Sequence, residues 1–217
     1  MKLMEQVAWW QLIGAALLLG TPALGAGTPS KALPLLCGDV VDADITLQAD
    51  LVCPGFTGKV LTVKGSRHVL NGNGHRIVAP DAQIGVSIEG PWNEVRDLEI
   101  SGLNHGVAIS AIDAPYLEIR GSILNDNQVG IQLDATRTEM HGVWIHENQI
   151  RSSARFGVLA QQRAKGHILL PQFWHNDLSR SLHQAFHLEV SSAQLNSRDR
   201  NVTEGWGEPN WVALTGQ

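Results

Sequence analysis

Apolar residues along this chain fall into short runs that alternate with polar ones, and the runs recur. Four begin on glycine: Gly85-Val86-Ser87-Ile88, Gly106-Val107-Ala108-Ile109, Gly130-Ile131-Gln132-Leu133 and Gly157-Val158-Leu159-Ala160. A fifth, Ala185-Phe186-His187-Leu188, has alanine in the glycine's place, and the first residues lie 21, 24, 27 and 28 positions apart. Alternation with period two predicts strands. A second strand follows in each unit. Aligned without gaps, Val95, Ile119, Met140 and Ile168 form one inner column, and Ile100, Leu124, Ile145 and Phe173 form another. Further on, Asn127-Gln128-Val129, Asn148-Gln149-Ile150 and Asn176-Asp177-Leu178 repeat Asn-x-apolar, and residues 69–77 read as an earlier, tighter coil.

A period in the twenties with short strands and no helix between them predicts a solenoid. The columns recur in one direction along the chain, so the strands must pair in parallel, coil upon coil, as a parallel β-helix. A leucine-rich repeat is excluded because its L-x-x-L-x-L pattern is missing. Equivalent residues then stack about 4.8 Å apart. Asn127, Asn148 and Asn176 are expected to form an inward amide ladder.

Composition changes this picture little. With 217 residues, 43% apolar and 17% charged, the chain can bury the core of one domain. Its net charge of −5 gives no basic footprint for nucleic acid. The N-terminus changes the picture more. Lys2, an apolar run from Val7 to Leu19 broken by Gln11, and Thr21-Pro22-Ala23-Leu24-Gly25-Ala26 read as a signal peptide over residues 1–25, cut after Gly25, with an uncleaved signal anchor as the alternative. The reading places the domain outside the cytoplasm, secreted, periplasmic or at the cell surface, with no membrane contact beyond that segment. Cys37 and Cys53, 16 positions apart, are then expected to form a disulfide.

The stretches Cys37-Gly38-Asp39-Val40, Leu51-Val52-Cys53-Pro54-Gly55 and Asn73-Gly74-His75-Arg76-Ile77, with the Gly-Val-x-Ile coils, resemble exported right-handed parallel β-helix repeat proteins of the pectate-lyase-like superfold. The resemblance covers roughly residues 37–190. It implies an all-β, single-stranded right-handed helix of about six coils with three sheets. It also implies an N-terminal cap over 26–58 pinned by the disulfide, repeats over 59–190, and a cover or tail over 191–217 that holds Trp206 and Trp211. The superfold hosts lyases, hydrolases, epimerases and proteins without catalysis, so it leaves activity open.

Polysaccharide enzymes of this kind work on the outer face of one sheet. In the gapless alignment Glu94, Glu118 and Glu139 share an outward column, with His167 next. Two residues on, and so on the same face, Arg96, Arg120 and His141 share another, with Leu169 next. Trp144 falls outward beside them. This face is expected to hold an acidic glycan, with Glu94, Arg96, Glu118, Glu139 and Trp144 as contacts. For a lyase or epimerase, Arg120 or His141 would be the base, and Glu118 and Glu139 would hold calcium. A second outward column, Glu89, Ser110, Asp134, Gln161 and Glu189, reads as ordinary surface. The histidines give no zinc pattern, and Asn201-Val202-Thr203 matches a glycosylation sequon. No Asp-Pro-His-Asp stretch and no adjacent aspartate pair is present. The leading expectation is a monomeric polysaccharide binder with little or no catalysis. An acidic-glycan lyase or epimerase, and a structural module of the cell envelope, stand as the alternatives.

Overall fold

In the computed structural model, residues 34–163, 165–169, 171–189 and 201–203 are described. Among them every regular element is a strand, and the strands wind into a parallel β-solenoid of about six turns. The proposed signal peptide, Trp206 and Trp211 lie outside the described residues.

The first and longest sheet stacks Asp39–Val41, Lys59–Lys64, Ile84–Glu89, Val107–Ile112, Val129–Ala135, Phe156–Gln162 and Gln184–Leu188. The second stacks Ile45–Thr46, Val69–Asn71, Glu94–Arg96, Glu118–Arg120, Trp144–His146 and Gln172–Trp174. The third begins with Leu51–Val52, Arg76–Val78 and Glu99–Ile100, and continues as single parallel bridges through Ile123, Gln149, Asp177 and Val202. A short fourth pair joins Glu139–His141 to His167–Leu169. All pairings between named strands are parallel, as same-direction columns require.

Inward positions make one continuous core. Leu61, Val86, Ile109, Ile131, Val158 and Phe186 stack in one buried column, and Leu70, Val95, Ile119, Ile145 and Phe173 in another. The coil turns its corners on residues with left-handed backbone. Arg67, Trp92 and Tyr116 (φ 64°, 63° and 58°) occupy the corner before the second sheet, where Gly142 follows in the next coil. Asp97, Gly121, Glu147 and His175 occupy the corner after it. Left-handed backbone is uncommon outside glycine, so these corners are held by packing and by bonds to neighbouring coils.

Three registers differ from the gapless alignment. Glu118–Arg120 pairs with Trp144–His146, not with Glu139–His141. The inner column therefore runs Val95, Ile119, Ile145, Phe173, while Met140 stacks on Ile168 alone. The cause is a phase ambiguity. Met140 and Ile145 are five apart, as are Val95 and Ile100, but so are Ile145 and Ile150, and the solenoid uses the later pair. Secondly, Ala108, not Gly106, lies beside Gly85, because Ile84 pairs with Val107. Ser110 therefore joins the column of Ser87 and Gln132, and Ile112 that of Glu89 and Asp134. Thirdly, the amide ladder is Asn148, Asn176 and Asn201. Asn148 Nδ2 donates to Asn176 Oδ1 and Asn176 Nδ2 to Asn201 Oδ1, each at 3.0 Å. Asn127 makes the equivalent backbone bonds at another corner, to Ile100 O and from Leu103 N.

Both ends extend the solenoid further than the repeats alone indicate. From Asp39 onward, the segment read as a cap supplies a first coil paired with Lys59–Lys64, Val69–Asn71 and Arg76–Val78. The Cys37–Cys53 disulfide closes this coil, with Cα atoms 5.9 Å apart. At the other end, within the segment read as a cover, Val202 bridges Asp177 and adds a rung to the third side.

Candidate functional site

From Val69–Asn71 onward each strand of the second sheet is three residues long, so one inward apolar residue sits between two outward ones. In Glu94–Arg96 and Glu118–Arg120 the flanking residues are a carboxylate and a guanidinium. One outward column therefore runs Val69, Glu94, Glu118, Trp144, Gln172, and the other Asn71, Arg96, Arg120, His146, Trp174. Two residues before each glutamate, at the left-handed corner, stand Trp92 and Tyr116. Their rings stack at 3.7 Å with planes 9° apart, and the His141 ring meets Tyr116 edge-on at 4.5 Å. Such a stack contributes about 0.5–1.5 kcal/mol beyond its buried area. Gly142 continues this column with a left-handed φ of 63°, and a Cβ there would lie 2.6 Å from the Tyr116 ring. Trp92 remains nearly half exposed.

The charges are paired with a stagger of one coil. Arg120 Nε donates to Glu94 Oε1 at 3.0 Å, and its Nη2 lies 2.8 Å from the same oxygen. Glu118 meets His146 Nε2 at 3.0 Å and Arg120 Nε at 3.5 Å. Each glutamate thus holds the cationic or imidazole group of the coil that follows it. Two carboxylates one strand spacing apart repel by about 3 kcal/mol at an effective dielectric of about 20, and the interleaved cations offset this. The pattern ends at both sides. His146 stacks on Trp174 at 4.3 Å, with planes 6° apart. Arg96 has Val69, not an acid, in the coil before it. Among the described residues it keeps a single ion pair, to Glu94 at 3.5 Å, and its buried Nε has no hydrogen-bond partner among them.

The residues singled out in the sequence are therefore only partly brought together. Glu94, Arg96, Glu118, Arg120 and Trp144 share one face. Glu139 and His141 lie on the separate two-stranded sheet, where Glu139 pairs with His167. His141 still reaches the site through Tyr116, but Glu118 and Glu139 do not stack as the calcium reading requires. Among the described residues no group of three His, Cys, Asp or Glu side chains converges as a metal site. Sequence reasoning missed Tyr116 and His146, and reads Trp174 as packing at a turn. A signal existed: Pro91-Trp92-Asn93-Glu94-Val95-Arg96 recurs as Pro115-Tyr116-Leu117-Glu118-Ile119-Arg120, proline-aromatic-x-Glu-apolar-Arg, 24 residues later.

Beside the aromatic corner lies a groove lined by Asp42, Lys64, Gly65, Glu89, Gly90, Ile112, Asp113 and Arg137. Its acids are mostly engaged. Lys59 Nζ lies 2.9 Å from Glu89 and, despite partial burial, holds that carboxyl below its usual range. Burial raises Asp134, which lies close to Asp113 and is only partly offset by Arg163 at 3.1 Å. The site so defined is a charged, ring-flanked outer face on a parallel β-solenoid. A scan against protein-family models and searches of curated proteins and of solved structures found no match to the chain.

Proposed function

We propose that the chain is an exported, pectate-lyase-like solenoid that binds a polysaccharide on the outer face of its second sheet and does not cleave it. One observation carries the reading: aromatic, carboxylate and cation recur two residues apart in consecutive coils, as Trp92-Glu94-Arg96 and Tyr116-Glu118-Arg120. A glycan needs flat apolar surface for its ring faces and fixed polar groups for its hydroxyls. Here the rings form one strip and the ion pairs the next, and both are set by the solenoid before any ligand arrives. Preorganisation of this kind lowers the ordering cost of binding. Export is supported by the N-terminal signal pattern and by the intramolecular disulfide, which fits an oxidising compartment.

The same contacts weigh against catalysis. A guanidinium offers five donors and no acceptor, and that of Arg120 is clamped on Glu94 and Glu118. Those two glutamates stand one coil apart, close to the roughly 5–5.5 Å of a retaining glycosidase pair. Both spend an oxygen on a neighbouring cation, so neither is placed as a free acid. Arg120 and His146 lie on Glu118 at 3.5 and 3.0 Å, and the reading requires no metal. Binding as a monomer suffices, because the whole strip lies on one chain.

The test is a panel of pectin, alginate and neutral glycans offered to the exported, oxidised protein, with calcium and with chelator. Binding is read by affinity electrophoresis, and cleavage by new reducing ends and by unsaturated-uronate absorbance. At least one polymer is expected to bind without product, and Trp92→Ala and Arg120→Ala are each expected to weaken it about tenfold. Failure to bind any polymer overturns the proposal. Calcium-dependent product abolished by Arg120→Lys would replace it with a lyase.

A further inference from the structure

The two ends of the solenoid carry opposite charge. The first coil, residues 34–58, holds Asp39, Asp42, Asp44 and Asp50 and no lysine or arginine. Residues 155–189, at the other end, hold Arg155, Arg163, Lys165 and Arg180 against Asp177 and Glu189, with four histidines besides. Asp50 is paired with Arg76, but Asp39, Asp42 and Asp44 meet no lysine or arginine among the described residues. Lys165 and Arg180 are exposed and make no ion pair among them. Within the chain an acidic coil already mates with a basic one: Asp42 meets His68 at 2.7 Å and Asp50 meets Arg76 at 3.2 Å across the step from first coil to second.

The ends also match as edges. Asp39–Val41 and Gln184–Leu188 are the outermost strands of the first sheet, and Ile45–Thr46 and Gln172–Trp174 those of the second. One apolar inner column starts at Val41 and finishes at Leu188, and another starts at Ile45 and finishes at Phe173. An edge strand presents unpaired N–H and C=O groups, a template for another chain. Because every pairing is parallel, a second copy placed on the same axis continues both sheets in the same direction. The exposed apolar side chains gather at the same two places. Among the described residues six large ones are exposed: Leu36, Val40 and Val52 on the first coil, Leu182 and Val202 at the far end, and Trp92 between.

We infer that the basic C-terminal end of one copy docks on the acidic N-terminal end of another, a head-to-tail contact that extends the solenoid along its axis. Two unlike surfaces in contact do not close on themselves, so the product is a linear chain of copies, not a two-fold dimer. The first-coil strands are two or three residues long, and such short edges offer few hydrogen bonds. The contact therefore depends on its charges and its apolar rim. It leaves the face of the second sheet uncovered and repeats that face once per copy, and it stands independently of the glycan reading.

The test follows self-association of the exported, oxidised chain by analytical ultracentrifugation. In about 0.01 M salt the average mass is expected to rise above the monomer as concentration increases, and to fall back in about 1 M salt, where the screening length drops from about 30 Å to about 3 Å. Val40→Lys with Val52→Lys sets cations on the first-coil end, and Arg180→Glu with Leu182→Glu sets anions on the other. All four positions are exposed, and circular dichroism checks that each variant folds. Each variant alone brings like charges together and is expected to associate at least about tenfold more weakly than the wild type. An equimolar mixture is expected to recover association, because the intact C-terminal end of the first variant meets the intact N-terminal end of the second. Two folded variants that stay monomeric when mixed overturn the inference. So does an Arg180→Glu, Leu182→Glu variant that associates as the wild type does, since the first coils would then be meeting each other. Wild type that remains monomeric at every concentration in both salts overturns it without any variant, and leaves glycan binding standing.

Discussion

Asp113 shows how much one side chain can hold between neighbouring coils. It sits at a corner with a left-handed φ of 48°. Its carboxylate accepts from the backbone N–H groups of Thr136, Arg137 and Thr138 at 2.8, 2.9 and 3.2 Å, from Thr136 Oγ1 at 2.7 Å and from Arg137 Nε at 3.1 Å. Burial alone would raise its pKa, but these five bonds outweigh it and hold the carboxyl well below the usual 3.8. Asparagine tolerates the left-handed corner and keeps one acceptor oxygen, yet it turns an amide NH2 toward the Thr136 hydroxyl or Arg137. Asp113→Asn is therefore expected to cost about 1–3 kcal/mol at pH 7 by urea unfolding. The sign of the pH dependence follows from linkage. A depressed folded pKa gives stability that is complete above the unfolded value and is lost as pH falls toward the folded one. The gap between wild type and Asp113→Asn should narrow steadily below about pH 4. A gap unchanged from pH 7 to pH 2 would contradict the charged role.

Strands carry the next scale, and there the recurrent glycines acquire a reason. Gly85, Ala108, Gly130, Gly157 and Ala185 form one column, because Ile84, Val107, Val129, Phe156 and Gln184 pair in register. These positions face the third side of the coil at close range. A Cβ at Gly130 would lie 2.1 Å from Ile150 Cγ2 and 2.6 Å from the Gly157 carbonyl oxygen. Gly130→Ala should thus destabilise by about 1–3 kcal/mol through overpacking. Ile150→Leu removes the β-branch methyl, so the double variant is expected to recover about 1 kcal/mol or more in a double-mutant cycle. Additive losses would mean that the carbonyl, not Ile150, sets the limit. The sequence displays four of these five positions, as glycine or alanine before an alternating run, with Gly106 standing in for Ala108, and the parallel coil follows from them. The candidate face was less legible. Which of two five-residue phases a coil adopts is decided by corner packing and the asparagine ladder, and neither is visible in hydrophobic period. That is why the gapless alignment sets Glu139 and His141 in the columns of Glu118 and Arg120, which Trp144 and His146 occupy, even though Trp144 is expected on the same face. The asparagines carried the missing information. Asn148 follows Ile145-His146-Glu147 and Asn176 follows Phe173-Trp174-His175, and the two lie in one column, whereas Asn127 follows Asn125-Asp126 and lies in another.

At the scale of the molecule, each coil touches only the coils before and after it, so stability is close to a sum of coil and interface contributions. The ladder from Ser122 through Asn148 and Asn176 to Asn201 ties the later coils together, and it uses the Asn201 amide that a sequon would present for modification. The first coil has a neighbour on one side only among the described residues, and its strands are two or three residues long. What holds it is the Cys37–Cys53 bond, which closes a loop of 16 positions around all three of those strands. In the chain-entropy model such a loop is worth roughly 3 kcal/mol. Because coupling runs only between neighbours, this stabilisation should stay local. Reduction is expected to raise amide exchange in residues 39–52 by about a hundredfold, with a smaller rise in 59–78 and almost none beyond Glu118. The face proposed to bind glycan begins at Trp92, two coils away, so reduced protein should keep most of its affinity for whatever polymer the oxidised form binds. Loss of protection across the whole chain on reduction would show instead that the first coil nucleates the solenoid, and that the disulfide governs the binding face from a distance.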